Sequence, residues 1–170
     1  MAIALHQPST RWRARAVAVC GVVLGATVLL AGIAKIAGFR EFAGSVETWT
    51  ILPAWVRVVS LLAVPIAEVL VGATLLLSPS SRFAAKCVLA MIVVFSAVYI
   101  AQYVFVGPPK CGCFGLLSRY SSALEDSKIV LGRNALLIVI AVVSLVLSRS
   151  ASASDGTGGG PDLSISGEPG

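Results

Sequence analysis

The sequence has few charged residues and a single histidine, and each shortage excludes a class of protein. Only 12% of its 170 residues are charged, while 57% are hydrophobic. Because a soluble domain carries roughly 25% charged residues, a soluble globular fold is excluded. The one histidine is His6, far along the chain from the closest pair of cysteines. A zinc site or an iron–sulfur cluster is therefore not expected, because one chain offers too few ligands at the usual spacings.

Four long apolar runs take the place of a soluble core. A helix that crosses a membrane needs about 20 mostly apolar residues, and such stretches cover about residues 16–35, 58–77, 84–106 and 129–147. The sequence predicts an all-α integral membrane protein, a bundle of four transmembrane helices in the lipid bilayer. The net charge of +5 gives no indication of nucleic-acid binding, because the basic residues flank the spans and line no single face.

The distribution of arginines predicts how the chain is arranged across the membrane. Three arginines lie between residues 11 and 15 without an acid among them, and an N-terminal basic cluster usually stays in the cytoplasm. We therefore expect a cytoplasmic segment over residues 1–15, a four-helix domain over 16–148 and a disordered Gly/Ser-rich tail over 149–170. Both termini would be cytoplasmic in a bacterial-type inner membrane. The first run exceeds a signal-peptide core and is interpreted as a retained span.

The segment between the first two spans mixes aromatic, apolar and polar residues. Residues 37–57 include Trp49 and Trp55 among charged side chains. This composition predicts an amphipathic stretch at the outer interface, with both tryptophans at the level of the lipid headgroups. Lys35 closes the first span and is interpreted as extending its ammonium group toward that same interface.

The most informative motif is Cys111-Gly112-Cys113, in a polar break between the third and fourth spans. Two thiols one residue apart can close a small disulfide ring, and the glycine supplies the backbone freedom that such a ring needs. Lys110 would favour the thiolate, which is the form that exchanges disulfides. The predicted orientation places this loop outside the cytoplasm, where disulfides are made and kept. Two interpretations are open: a redox-active pair, or a structural disulfide that pins the loop.

Polar residues inside the spans are the second indication of a site. Glu68 lies in the middle of the second span, where a charge costs on the order of 2.5–3.5 kcal/mol. At 1.5 Å per residue it lies ~15 Å below the end of its span, and Arg133 lies ~6 Å below the end of the fourth. The remaining ~9 Å is within the combined reach of the two side chains. Two interpretations of Arg133 are open: it forms an ion pair with Glu68, or its side chain simply extends to the interface. For Glu68, a purely structural role that ties helices together is also open.

The other two cysteines have a different setting. Cys20 and Cys87 lie near the cytoplasmic ends of their spans, and buried single cysteines behave as small hydrophobes. Gly21 and Gly25 form a Gly-x-x-x-Gly face that favours close helix packing.

The order of these features along the chain resembles one known family. A lysine ends the first span, a Leu-Pro turn precedes the second, and a Cys-Gly-Cys-Phe-Gly motif and a Gly-Arg-Asn motif flank the start of the fourth. The matching residues are Lys35, Pro65, Glu68, Gly72, Cys111, Cys113, Phe114, Gly115, Gly132, Arg133 and Asn134. Over about residues 15–148 the chain resembles MauE, a methylamine utilisation membrane protein of the DoxX-like group.

The resemblance implies a function in thiol–disulfide redox maturation of exported proteins. It implies a thioredoxin-fold partner and, in the type system of amine metabolism, the disulfide-rich small subunit of methylamine dehydrogenase as the exported client. Cys111 and Cys113 would be the redox pair, and Glu68, Arg133 and Asn134 would line the bundle beneath them. No cofactor is evident, and a quinone acceptor follows only by analogy with other four-helix disulfide enzymes. The alternative is a non-enzymatic accessory subunit of a membrane oxidoreductase, so whether the chain is a thiol–disulfide oxidoreductase is open.

Overall fold

The computed structural model of the protein describes residues 9–107 and 127–153, and within these ranges it contains helices and no strand. Four of the five helices are long and apolar enough to cross a membrane, which confirms the predicted all-α four-helix fold. The exception is α2, a short helix between the first two spans. The helices are α1 (Ser9–Ala37), α2 (Phe39–Glu47), α3 (Ala54–Leu77), α4 (Arg82–Phe105) and α5 (Ser127–Ala153).

The first and last helices are longer than the apolar runs that predicted them. α1 begins at Ser9, within the segment expected to precede the span, and α5 continues to Ala153, within the expected tail. Both extensions contain alanine, arginine and serine, which are tolerated in helices but do not favour hydrocarbon. Hydropathy therefore marks the apolar part of each helix, and helical hydrogen bonding extends past that part.

The helices define two ends of the bundle. At the loop end, α1 and α4 finish while α3 and α5 begin; at the terminal end, the reverse holds. α1 packs most extensively on α3 and also on α5, α5 packs on α4, and α3 meets α4 over a shorter stretch. Between the middle of the bundle and the terminal end lies a core of fully buried apolar side chains, among them Leu24, Leu75, Val88 and Ala141.

Glycines allow the backbones of α1 and α3 to touch. A Cβ atom at Gly72 would lie 2.6 Å from the backbone nitrogen of Leu29 and 2.9 Å from the carbonyl oxygen of Gly25. Gly21 lies against the backbone of Pro79 in the same way. The prediction that Gly21 and Gly25 form a close-packing face is confirmed: Gly25 packs on α3, and Gly21 packs on the turn that follows α3.

α1 ends well inside the bundle at the loop end. Gly32 packs against the carbonyl oxygen of Pro65 and against Glu68, and Pro65 lies about 16 Å along α3 from its first residue at 1.5 Å per residue. The space above the end of α1 is covered by α2 and the following turn, residues 48–53, and Phe42, Val46 and Trp49 of this covering segment are buried. This arrangement encloses the polar residues described next.

Candidate functional site

A buried ion pair joins α1 to α3 near the loop end. The Lys35 ammonium donates to both carboxylate oxygens of Glu68, with Nζ–Oε distances of 2.8 and 2.7 Å. Lys35 is 1% exposed, and the Glu68 side chain is 13% exposed. The pair can form because Gly32, one turn before the lysine, lets the α3 backbone approach. The ring of Phe42 covers the lysine, with its centroid 5.9 Å from Nζ.

A second polar group reaches the same place from α4 and α5. Arg133 lies close enough to Glu68 and Lys35 for their charges to interact. Its guanidinium donates to the Asn134 side-chain oxygen at 3.3 Å, and the Asn134 amide donates to the Ser96 hydroxyl at 3.1 Å. Asn134 is buried. Charged, amide and hydroxyl groups from four helices are therefore brought together within the membrane-spanning part of the bundle.

These groups form one end of a cavity of about 80 Å³, here called the polar cavity. Its charged end is formed by Lys35, Glu68 and Arg133, with Asn134 beside them. The other lining residues are almost all apolar: Thr27, Val28, Ala31, Val88, Met91, Ile92, Phe95 and Leu137. A cavity of this kind can hold a small polar group by N–H donation and exclude bulk water from it. Among the residues that the structure describes, no three metal-ligating side chains cluster.

Gln102 fastens the turn that covers this site. Its side-chain oxygen accepts from the Ile51 backbone N–H at 3.0 Å. Its amide nitrogen lies 3.3 Å from the Thr48 carbonyl oxygen and 3.5 Å from the Thr50 hydroxyl. Gln102 itself is 2% exposed, and these bonds fix the turn on the last part of α4.

Aromatic contacts complete the cover. The ring of Trp49 meets Phe95 and Tyr99 edge to face, with centroid distances of 5.5 and 5.9 Å. The Tyr99 and Ser127 hydroxyl oxygens lie 3.0 Å apart, in a hydrogen bond that ties α4 to the first residue of α5. The two helix ends that flank the Cys-Gly-Cys connection are thus held together beside the polar cavity.

Comparison with known proteins decides the family. The family model described as methylamine utilisation protein MauE matches residues 13–147. The chain belongs to the MauE family. A curated member, methylamine utilization protein MauE of Paracoccus denitrificans, is 31% identical over 150 residues, which cover 86% of this chain and 77% of that protein. No solved structure matches the chain.

The family resemblance read from the sequence is therefore confirmed, and the predicted polar residues can be located. Glu68, Arg133 and Asn134 all line the polar cavity, so the structure brings them together as expected. Cys111 and Cys113 lie outside the described residues, and their pairing stays a prediction. Cys20 and Cys87 are half-buried free thiols in the part of the bundle toward the terminal end.

Two interpretations of the sequence were wrong for this MauE family member. Lys35 does not extend to the interface: α1 ends inside the bundle, α2 covers it, and the ammonium group pairs with Glu68. Trp49 is 4% exposed and packs inside the protein, because Gln102 holds its turn against α4. Trp55, by contrast, is 71% exposed. Sequence reasoning left an ion pair between Glu68 and Arg133 open and missed the lysine, although a carboxylate in a span requires a nearby cation.

Proposed function

We propose that this protein supports thiol–disulfide redox maturation of exported proteins in amine metabolism, with Cys111 and Cys113 as the reactive pair. The observation that carries the proposal is the position of the buried Lys35–Glu68 pair. It lies toward the loop end, where the Cys-Gly-Cys connection leaves α4 and enters α5. A buried ion pair is a poor source of stability, so its presence toward the end of the bundle that the dithiol motif connects favours a functional role.

The proposed reaction begins with an oxidised Cys111–Cys113 pair. A thiolate of a thioredoxin-fold partner attacks one sulfur, which forms a mixed disulfide and releases the other cysteine as a thiolate. The partner's second thiolate then attacks the partner's sulfur in the mixed disulfide, which breaks the bond between the two proteins. The partner leaves as a disulfide, and Cys111 and Cys113 remain reduced with the two electrons. The oxidised partner passes its disulfide to the exported client.

The charged residues beneath the loop have a supporting role in this proposal. Cations near a thiol stabilise its thiolate, and Arg133 is the sixth residue after the first of α5. The ion pair between Glu68 and Lys35 fixes the positions of the two charges that lie near that arginine. Asn134 fixes its guanidinium through the hydrogen bond at 3.3 Å.

Mixed-disulfide trapping tests the proposal. The partner's second thiolate resolves the mixed disulfide, so a partner whose second cysteine is replaced by serine should accumulate a covalent complex with this protein that reductant dissolves. Cys111→Ser or Cys113→Ser removes the disulfide that the partner attacks and should prevent that complex. Each variant should also abolish client maturation. Cys20→Ala and Cys87→Ala are the matched controls, and both should leave maturation unchanged because these thiols lie away from the loop end.

The outcome also separates the two interpretations of the motif. If both serine variants support normal maturation at normal protein levels, the redox proposal fails and the accessory-subunit interpretation replaces it. A membrane-impermeant thiol reagent added outside the cell should label the reduced loop cysteines. Labelling from the cytoplasmic side alone would contradict the proposed orientation and the export-side role.

A further inference from the structure

A second cavity of about 190 Å³ lies beside the polar cavity and is here called the apolar cavity. Its walls come from α2 and the turn that follows, from α3 and from α4. Phe95 belongs to the walls of both cavities. Phe42, which lines the apolar cavity, also covers the Lys35 ammonium group. The charged end of one cavity and the apolar wall of the other are therefore adjacent.

The apolar cavity lies where α3 and α4 face each other, the pair of neighbouring spans with the shorter contact. Val64 of α3 and Val98 of α4 both line it. Val94, also in the wall, is 61% exposed, and the surface around it belongs to a membrane-spanning helix. An occupant can thus enter sideways from the lipid without passing the covering turn.

The two cavities together suit an amphiphile of a particular kind. Its chain must be apolar, and its head must carry oxygen acceptors for the N–H groups of Lys35 and Arg133. The charged end is deep: Glu68 lies about 21 Å along α3 from Ala54 at 1.5 Å per residue. A phospholipid phosphate stays at the interface because burying its charge is costly, so a neutral head that enters the bilayer interior fits better.

We propose that the two cavities bind a membrane quinone, with its carbonyl-bearing ring at the polar cavity and its chain in the apolar cavity. The choice of a quinone rests on the proposed function, which leaves Cys111 and Cys113 as a dithiol that must be reoxidised. Two thiols lose two electrons and two protons as the S–S bond forms. The quinone takes up the two electrons and the two protons, one proton at each oxygen, and leaves as the quinol.

Trp49 provides a direct measure of binding, because it lines the apolar cavity and quinones quench indole fluorescence. The full chain carrying Trp12→Phe and Trp55→Phe keeps Trp49 as its one tryptophan, since the sequence has three. Titration of this protein in nanodiscs with decyl-ubiquinone should give saturable quenching. A second version that keeps only Trp55, which is 71% exposed, should show weaker, non-saturating quenching.

A matched pair of substitutions on α3 tests the location. Val64→Phe fills the apolar cavity and should weaken binding about tenfold or more, a loss of about 1.4 kcal/mol. Val59→Phe adds the same ring on a valine that is 58% exposed and lines neither cavity, and it should leave binding unchanged. Equal quenching of Trp49 and Trp55 overturns the proposal. So does a quinone affinity that Val64→Phe leaves unchanged.

The remaining outcomes separate this site from the proposed function. If a nitroxide-labelled phospholipid quenches Trp49 and decyl-ubiquinone does not displace it, a lipid is the occupant and the proposal is overturned. If maturation needs both cysteines but Trp49 is not quenched, the quinone site fails while the redox function stands. If Trp49 is quenched saturably but the Cys111→Ser and Cys113→Ser variants mature the client normally, the site stands and the thiol function fails.

Discussion

The two halves of the bundle are built on opposite principles. Toward the terminal end, apolar side chains such as Leu24 and Leu75 are fully buried, and glycines bring the α1 and α3 backbones into contact. Toward the loop end, the interior holds a lysine, a glutamate, an arginine and an asparagine around a cavity. The first arrangement stabilises the fold by packing. The second arrangement buries charged and amide groups at positions where apolar residues would stabilise the fold as well or better.

That difference indicates where function lies. Burying charges in the membrane costs several kcal/mol, and a buried pair often adds no more stability than well-packed apolar residues of the same size. The polar half is therefore expected to tolerate removal of the whole Lys35–Glu68 pair better than removal of one partner alone. The packed half should tolerate no added volume at the helix contact. The predictions below test this contrast.

The largest loss of stability is expected from Lys35→Met. The substitution keeps the length of the side chain but leaves the Glu68 carboxylate buried without its lysine, which costs about 3–5 kcal/mol for a broken buried pair. The thermal unfolding midpoint of the purified protein in detergent should fall sharply. Lys86→Met is the control, since Lys86 is exposed and its loss should change the midpoint little. An unfolding midpoint equal to that of the unaltered protein would contradict the buried pair.

A slightly smaller loss is expected from Gly72→Ala in the packed half. The new methyl group would come 2.6 Å from the backbone nitrogen of Leu29, so α1 and α3 must separate, at a cost of about 1–3 kcal/mol. Gly132→Ala is the matched control: nothing lies within 4 Å of its Cβ position, and alanine favours the helix by about 1 kcal/mol. Equal unfolding midpoints for the two variants would contradict the backbone contact.

The smallest loss of the three is expected from Gln102→Leu, which removes the bonds to the turn over the site. The Ile51 N–H would lose its acceptor, and a buried unsatisfied group costs about 1–3 kcal/mol, partly offset here by water at the half-exposed turn. Loosening of the turn should shift the emission of Trp49 to longer wavelength. Tyr103→Leu, at a lipid-facing position that is 49% exposed, should leave that emission unchanged. An unshifted Trp49 spectrum in Gln102→Leu would show that the turn is held by other contacts.

The sequence predicted the parts of this structure that depend on local composition. Length and apolarity identify four spans, and the spacing of Gly21 and Gly25 identifies a packing face. The depth of Glu68 and Arg133 along their spans placed them within reach of each other, and both line the polar cavity. Each of these inferences needs only the rise per residue of a helix and the cost of polar groups in lipid.

The parts that depend on where one helix stops relative to another were missed. Lys35 looked like a residue at a membrane surface because it ends an apolar run. It is buried because α1 stops at Ala37, short of the first residues of α3, and α2 folds over the end. Trp49 was misplaced for the same reason. One signal could have identified the lysine: Glu68 is the one acid inside the four apolar runs, and its charge requires a cation at matching depth.

The measurement that tests the central claim most directly compares stability and function in the double variant Lys35→Met/Glu68→Met. Both charges are removed together, so the unfolding midpoint in detergent should return close to that of the unaltered protein, well above that of Lys35→Met alone. Maturation of the exported client should nevertheless fall about tenfold or more, a change of about 1.4 kcal/mol. Normal maturation by a stable double variant would contradict the account, because the charged half of the bundle would then serve the fold alone.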